Sequence, residues 1–174
     1  MVNANLRHYV KSAGSEVFIA QRLKRLPRIL VKMARHPRMR LTQMQDVGGC
    51  RAILGDEAAV RHVLDGIQRN WDVITVDDYI ENPKTDGYRA VHVITRRSEV
   101  PIEVQLRTAG QQDWADEVER IDGLMPHAVK DGEGPPEVVE YLKALAELID
   151  AVEGGTPVDP GLSSEFLRLR RLVP

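Results

Sequence analysis

The segment PIEVQLR, Pro101–Arg107, alternates apolar and polar side chains from Ile102 onward, and this alternation constrains the fold more than any other feature. Because successive side chains of a β-strand point to opposite faces, one face of this strand is apolar and the other polar. The polar face carries Glu103, Gln105 and Arg107. Taken alone, the pattern also fits a strand that covers a core and turns a solvated face to water.

Helical and strand-like patterns surround this segment and predict a chain of mixed class. Apolar residues at spacings of three and four predict helices, and short apolar runs between turn residues predict strands. Helices on both sides of a central group of strands predict an α/β (α+β) fold. The predicted helices are 15–36 (kinked or divided at Pro27), 56–69, 111–120, 135–152 and 163–172, and the predicted strands are 50–54, 71–76, 89–96 and 101–107.

Length and composition limit the possible classes of protein. A chain of 174 residues can form one domain with a proper core and is too short for two ordinary domains. Its net charge of -2 predicts no general attraction to nucleic acid or membranes. No apolar run approaches the roughly 20 residues of a membrane span, and the start lacks a signal-peptide core. The single cysteine, Cys50, fits a reducing, cytoplasmic location.

Positive charge is concentrated in one part of the chain. Eight Lys or Arg and no acidic residue lie between Arg22 and Arg40. Arg28, Lys32 and Arg35 follow spacings of four and three, so in a helix they share a face. A charge run is often only a solvated surface, but cations this close repel one another, and a polyphosphate would relieve the repulsion. The segment therefore predicts a local anion site.

Residues that suit a nucleotide lie just before and within two neighbouring predicted strands. Tyr88 and His92, in DYIENPKTDGYRAVHV, have the same parity and would share a face that could align with Glu103. An aromatic ring, a carboxylate and a cation together can hold a nucleotide. Asp46 precedes two glycines and a strand, and with Glu103 it could hold Mg²⁺. A cap of a helix or turn is the alternative reading of Asp46.

Five segments resemble, in the same order, the synthetase domain of the RelA/SpoT family. They are QRLKRLPRILVKMAR, MQDVGGCRAIL, DYIENPKTDGYRAVH, IEVQLRT and DWADEVE, between Gln21 and Glu119. The resemblance implies a nucleotidyltransferase-like mixed sheet flanked by helices. It also implies one synthetase domain over residues 1–174, with a core of about 15–122 and C-terminal helices at 135–172.

The resemblance further implies a diphosphotransferase reaction. ATP would give its β,γ-pyrophosphate to the 3′-OH of GDP or GTP, making the alarmone (p)ppGpp and releasing AMP. Asp46 and Glu103 would be the catalytic residues and would bind Mg²⁺. The expected ATP-binding residues are Arg22, Lys24, Arg28, Lys32 and Arg51, and the expected acceptor-binding residues are Lys84, Tyr88, His92, Gln105 and Arg107.

Departures from the family pattern leave two other functions open. Arg28 stands where many family members have serine, TDGYRA replaces the common NGYRS, and Glu119 replaces a frequent histidine. One alternative is a toxin of a toxin–antitoxin pair that modifies the tRNA 3′ end or makes adenosine alarmones, with an antitoxin protein as partner. The other is a catalytically silent nucleotide-binding module. A homo-oligomer is possible, and no membrane partner is expected.

Overall fold

The computed structural model describes residues 2–14, 18–23, 26–38, 48–98, 100–125 and 134–174. Contacts divide the chain into two compact units. Unit 1 is Met1–Asp78 with Ala90–Thr108, and unit 2 is Tyr79–Arg89 with Ala109–Pro174. In chain order the elements are α1 (Val2–Ser12), β1 (Phe18–Leu23), α2 (Leu26–Arg35), β2 (Gly48–Leu54), α3 (Glu57–Asn70), β3 (Val73–Asp78), β4 (Val91–Arg97), β5 (Val100–Thr108), α4 (Ala109–Leu124), α5 (Pro136–Glu153) and α6 (Pro160–Arg170).

The strands of unit 1 form a mixed sheet with the order β1-β2-β5-β4-β3. β2 and β5 pair in parallel, and the other neighbouring strands pair antiparallel. A parallel pair needs a long connection, which here contains α3, β3 and β4. The mixed sheet flanked by helices that the sequence predicts is confirmed.

The two faces of the sheet differ as the alternation of β5 predicts. Ala52, Val93 and Val104 occupy the apolar face and are completely buried. Helices α1 and α3 pack against β2 on this side, and α3 also contacts β5. The opposite, polar face carries the side chains of the candidate site, which the sheet holds at fixed register.

Helix α3 covers the apolar face because its sequence has both a start signal and an apolar stripe. Asp56 is the N-cap, and its side chain accepts a hydrogen bond of 2.7 Å from the Ala59 N–H. Val60, Val63 and Ile67 recur at helical spacing and are fully buried. The predicted helix 56–69 is confirmed to within one residue at each end.

Unit 2 has its own hydrophobic core between α4, α5 and α6. Trp114, Ile121, Leu142 and Leu169 are buried in it. The indole N–H of Trp114 donates a hydrogen bond of 2.8 Å to the carbonyl oxygen of Leu142 and so fastens α4 to α5. The apolar stripe of the predicted helix 135–152 therefore packs on a core of this chain.

The predicted helix 15–36 is wrong in its first half. Residues Phe18–Leu23 form β1, where the backbone of Arg22 pairs with Gly49, and α2 begins only at Leu26. Pairing with β2 overrides the helical spacing of the apolar residues. Pro27 lies in the first turn of α2, where the missing N–H costs nothing, so proline marks the beginning of a helix here.

Helix α1 is an element that the sequence did not predict. Its Leu6 and Val10 are fully buried, one helical turn apart, and α1 packs on α3. Within the described ranges, no helix combines the length and the hydropathy needed to cross a bilayer.

Candidate active site

A chain of hydrogen bonds across β5 and β4 fixes the carboxylate of Glu103. His92 Nδ1 lies 3.0 Å from Glu103 Oε1, and Gln105 Nε2 donates to Glu103 Oε2 at 3.0 Å. Arg107 Nη2 in turn donates to Gln105 Oε1 at 3.1 Å. Because a carboxylate only accepts, the hydrogen of this contact is carried by His92 Nδ1. Both oxygens of Glu103 thus have a hydrogen-bond donor beside them.

Strand register explains why these four side chains meet. Glu103, Gln105 and Arg107 occupy alternate positions of β5, and His92 is directly opposite Gln105 on β4. The expectation that the polar faces of the two strands align is confirmed for these residues. Burial strengthens their hydrogen bonds, since Gln105 is 5% and Arg107 2% exposed. The result is an oriented carboxylate with a buried cation two hydrogen bonds away.

Strand β2 approaches the same part of β5 from the other side. Gly49 is opposite Glu103, and Arg51 is opposite Gln105. A Cβ atom at Gly49 would lie 2.7 Å from the carbonyl oxygen of Glu103. Only glycine therefore permits this approach without a shift of the backbone. Arg51 places a cation in the row of residues that contains Gln105 and His92.

The loop Tyr79–Arg89 of unit 2, called here the acceptor loop after the role expected of Lys84 and Tyr88, holds Lys84 beside two aromatic rings. The Lys84 ammonium lies 4.5 Å from the ring centroid of Tyr79 and 5.1 Å from that of Tyr88. The two rings meet edge to face at 5.8 Å. Attraction between a cation and the faces of aromatic rings stabilises this arrangement. The loop thus presents a positive charge beside aromatic surface.

Hydrogen bonds within the acceptor loop fix its backbone. Gly87 N donates to Lys84 O at 2.9 Å, and Lys84 N donates to Tyr88 O at 3.2 Å. The side chain of Asp86 accepts from Tyr88 N at 3.0 Å. Gly87 has φ +93°, a left-handed conformation that favours glycine. The turn therefore depends on the sequence Asp-Gly before the tyrosine.

One expectation about Tyr88 is wrong. The sequence suggested that Tyr88 and His92 lie on one face of the same strand, but β4 begins at Val91. Tyr88 belongs to the acceptor loop of unit 2, and His92 belongs to unit 1. The hydrogen-bonded turn at Asp86 and Gly87 carries the chain out of strand conformation at Tyr88.

Several predicted residues cannot be compared with the structure. Asp46 and Lys24 fall outside the described residues, and so do the side chains of Arg22, Arg28 and Lys32. The ranges that the structure describes contain no cluster of three or more His, Cys, Asp or Glu suited to a metal ion. The magnesium pair of Asp46 and Glu103 therefore stays a prediction.

The sequence pattern does not predict the contact between Tyr79 and Lys84. The spacing from residue 79 to 84 crosses a turn, so neither helical nor strand periodicity connects them. Cys50 is buried in the structure. Burial raises the pKa of its thiol above the usual range, which keeps it protonated and unreactive.

Residues 21–120 match the family described as the region found in RelA / SpoT proteins. Uncharacterized protein Rv1366 of Mycobacterium tuberculosis is 29% identical over 148 residues, which cover 81% of this chain and 53% of that protein. GTP pyrophosphokinase YwaC of Bacillus subtilis is 30% identical over 115 residues, covering 60% and 52%. The chain thus spans about half the length of these curated relatives.

Solved structures share the fold. Small alarmone synthetase 1 of Bacillus subtilis, bound to its product pppGpp, superposes with a TM-score of 0.73 at 21% identity, covering 88% of this chain and 86% of that one. Small alarmone synthetase 2 of the same organism has a TM-score of 0.73 at 20% identity, covering 99% and 91%. The five ordered segments, the mixed sheet and the match over more than half of its residues show that this chain belongs to the RelA/SpoT family.

Proposed function

We propose that the protein is a diphosphotransferase that moves the β,γ-pyrophosphate of ATP to the 3′-hydroxyl of GDP or GTP. Relatives named GTP pyrophosphokinase support this reaction. Structural neighbours bound to pppGpp and to AMPCPP support nucleotides as the substrates. The observation that carries the proposal is the Glu103 carboxylate, whose two oxygens His92 and Gln105 hold in place.

The reaction forms one P–O bond and breaks another. The 3′-oxygen attacks the β-phosphorus of ATP, the bond from that phosphorus to the α,β-bridging oxygen breaks, and AMP leaves. Transfer of this kind depends on positioning and on neutralising charge. Glu103 is the proposed acceptor of the hydroxyl proton, which then passes to solvent. Arg51 and the basic segment, with Arg22, Lys24, Arg28 and Lys32, are the proposed ATP-binding residues.

The donor chemistry of Glu103 fits a magnesium ion. A carboxylate has about four lone-pair positions, so an oxygen that accepts a hydrogen bond can also bind a cation. Mg²⁺ prefers such hard oxygen ligands, and Asp46 is the proposed second ligand. A bound magnesium ion would polarise the transferred phosphate and lower the pKa of the attacking hydroxyl.

We assign the acceptor nucleotide to Lys84, Tyr88, His92, Gln105 and Arg107. Tyr88 offers a ring on which a base can stack, and the Lys84 ammonium beside it suits phosphate. Replacing Tyr88 by alanine should raise KM for the acceptor far more than KM for ATP. Equal increases in both would contradict the stacking role. A cytoplasmic location, an antitoxin partner and a homo-oligomer stay predictions.

The decisive experiment incubates the protein with Mg²⁺ and γ-labelled ATP, adding GDP, GTP, an adenine nucleotide or tRNA separately. Label on a guanine nucleotide is the expected result. Label on tRNA or on the 3′ end of an adenine nucleotide would assign the protein to the toxin alternative, and label on none of these acceptors would identify the silent module. Glu103→Gln should abolish transfer while the protein stays folded, as circular dichroism would show. Glu147→Gln, which removes one negative charge from an exposed position of α5, is the control.

A further inference from the structure

Helix α5 lies beyond the residues that match the family, and the proposed function gives it no role. It nevertheless contacts the acceptor loop at residues on both sides of Tyr88. We propose that α5 is a brace that fixes the acceptor loop for nucleotide binding, with Ala146 and Asp150 as its positioning residues. The inference rests on the proposed function for the roles of Lys84 and Tyr88.

The first contact joins Gly87 to Ala146. A Cβ atom at Gly87 would lie 2.8 Å from the Cβ of Ala146, 3.3 Å from Leu142 O and 3.4 Å from the Cα of Lys143. The loop therefore rests directly on the backbone of α5, and small residues are needed on both sides. This contact immediately precedes Tyr88 in the chain.

The second contact joins Arg89, immediately after Tyr88, to Asp150. Arg89 Nη1 lies 3.1 Å from Asp150 Oδ1. Ala146 and Asp150 are four residues apart, so they lie on one face of α5, one turn from each other. A single helical face thus holds the chain before and after the tyrosine.

A third connection reaches the ring of Tyr88 through Trp114. The two rings meet edge to face at a centroid distance of 5.7 Å. The Trp114 indole N–H donates to Leu142 O, which is also the carbonyl oxygen beneath Gly87. The backbone before Tyr88 and the ring of Tyr88 are therefore both supported at Leu142 of α5, the first directly and the second through Trp114.

This bracing has a direct consequence for affinity. A loop that is already fixed in its binding conformation loses less conformational freedom when the nucleotide arrives. Loosening the brace should therefore weaken acceptor binding and leave ATP binding unchanged. The Asp150 side chain is 45% exposed, so breaking its ion pair changes global stability little and separates positioning from folding.

Asp150→Asn tests the brace by two measurements. Hydrogen exchange without nucleotide should quicken at the amides of Lys84, Gly87 and Tyr88, and stay unchanged in β4 and β5. KM for the acceptor should rise about two- to fivefold at constant kcat and constant KM for ATP, the size expected of a partly exposed ion pair. Glu147→Gln, an equal loss of charge three residues earlier, should change neither.

Three further variants extend the test. Asp150→Glu and the exchanged pair Arg89→Asp with Asp150→Arg both keep an ion pair between positions 89 and 150. Both should therefore show the slow exchange and the acceptor KM of the wild type. Ala146→Val, which adds two methyl groups against Gly87, should reproduce the effect of Asp150→Asn. If Ala146→Val does not fold, Asp150→Asn decides alone.

Unchanged exchange in the acceptor loop of Asp150→Asn would overturn the brace, and so would equal increases in KM for both substrates. Hydrogen exchange is measured without turnover, so it tests whether α5 fixes the acceptor loop even if the wild-type protein transfers no label. In that case faster exchange supports the brace, and only the proposed function fails.

Discussion

Replacing Gln105 by leucine would break the connection between Glu103 and Arg107. The Gln105 carboxamide makes two hydrogen bonds to charged partners, at 3.0 and 3.1 Å. Each such bond contributes about 1.5–3 kcal/mol to stability. Burial of the leucine side chain offsets about 2 kcal/mol of this loss, because the position is almost completely buried. We expect the free energy of unfolding to fall by about 1–4 kcal/mol.

Catalysis should suffer as well, because Glu103 loses the donor at Oε2. A misplacement of about 1 Å can lower a rate by about a hundredfold, so kcat should fall by about ten- to a hundredfold. Urea unfolding followed by circular dichroism measures the first effect, and transfer of label from ATP measures the second.

The control is Gln68→Leu, since Gln68 is exposed on α3 of the same unit. This substitution should change the free energy of unfolding by less than about 0.5 kcal/mol and leave kcat unchanged. If Gln105→Leu were as mild as Gln68→Leu, the reasoning that a buried amide connects two charged groups would be refuted.

Gly49→Ala should lower the urea midpoint and kcat together, because its Cβ would lie 2.7 Å from the Glu103 carbonyl oxygen; an unchanged midpoint would contradict the close approach. The hydrogen bond from Arg120 lowers the pKa of Glu117, so this carboxylate stabilises the fold above its unfolded pKa, and the contribution is lost as pH falls through the lowered value. Glu117→Gln should therefore reduce the loss of stability between pH 7 and pH 3, measured by urea unfolding. Burial and the bond to Glu117 raise the pKa of Tyr141 to about 12, so its contribution is complete below about pH 10 and is lost towards pH 12. Tyr141→Phe should remove this alkaline loss, and an identical alkaline profile would exclude the phenol as its source.

Much of the fold follows from local pattern, because the responsible signals lie within one element. The apolar stripe of residues 56–69 predicted α3, and the alternation of Pro101–Arg107 predicted both faces of β5. The interval from residue 15 to 36 was misread because its apolar spacing is also compatible with a strand followed by a helix. The pairing of β1 with β2 determines that Phe18–Leu23 is a strand, and no local periodicity contains that information.

The candidate site was predictable to a different degree in each unit. In unit 1 the alternation of β5 brought Glu103, Gln105 and Arg107 to one face, and only the register with His92 needed the structure. In unit 2 the contacts of the acceptor loop with α5 join residues about 60 positions apart. The sequence alone does not show why Ala146 must be small, because the reason is its contact with Gly87 in the folded protein.

The central position of β5 has a consequence for synthesis on the ribosome. β5 is the last strand of the sheet to be made, and it alone joins the β1–β2 pair to the β4–β3 pair. A nascent chain that stops before β5 has emerged would leave the inner edges of β2 and β4 open, and open edges favour association with other chains. Because β5 also carries Glu103, the carboxylate that the proposed chemistry requires comes into position only when translation has completed the sheet.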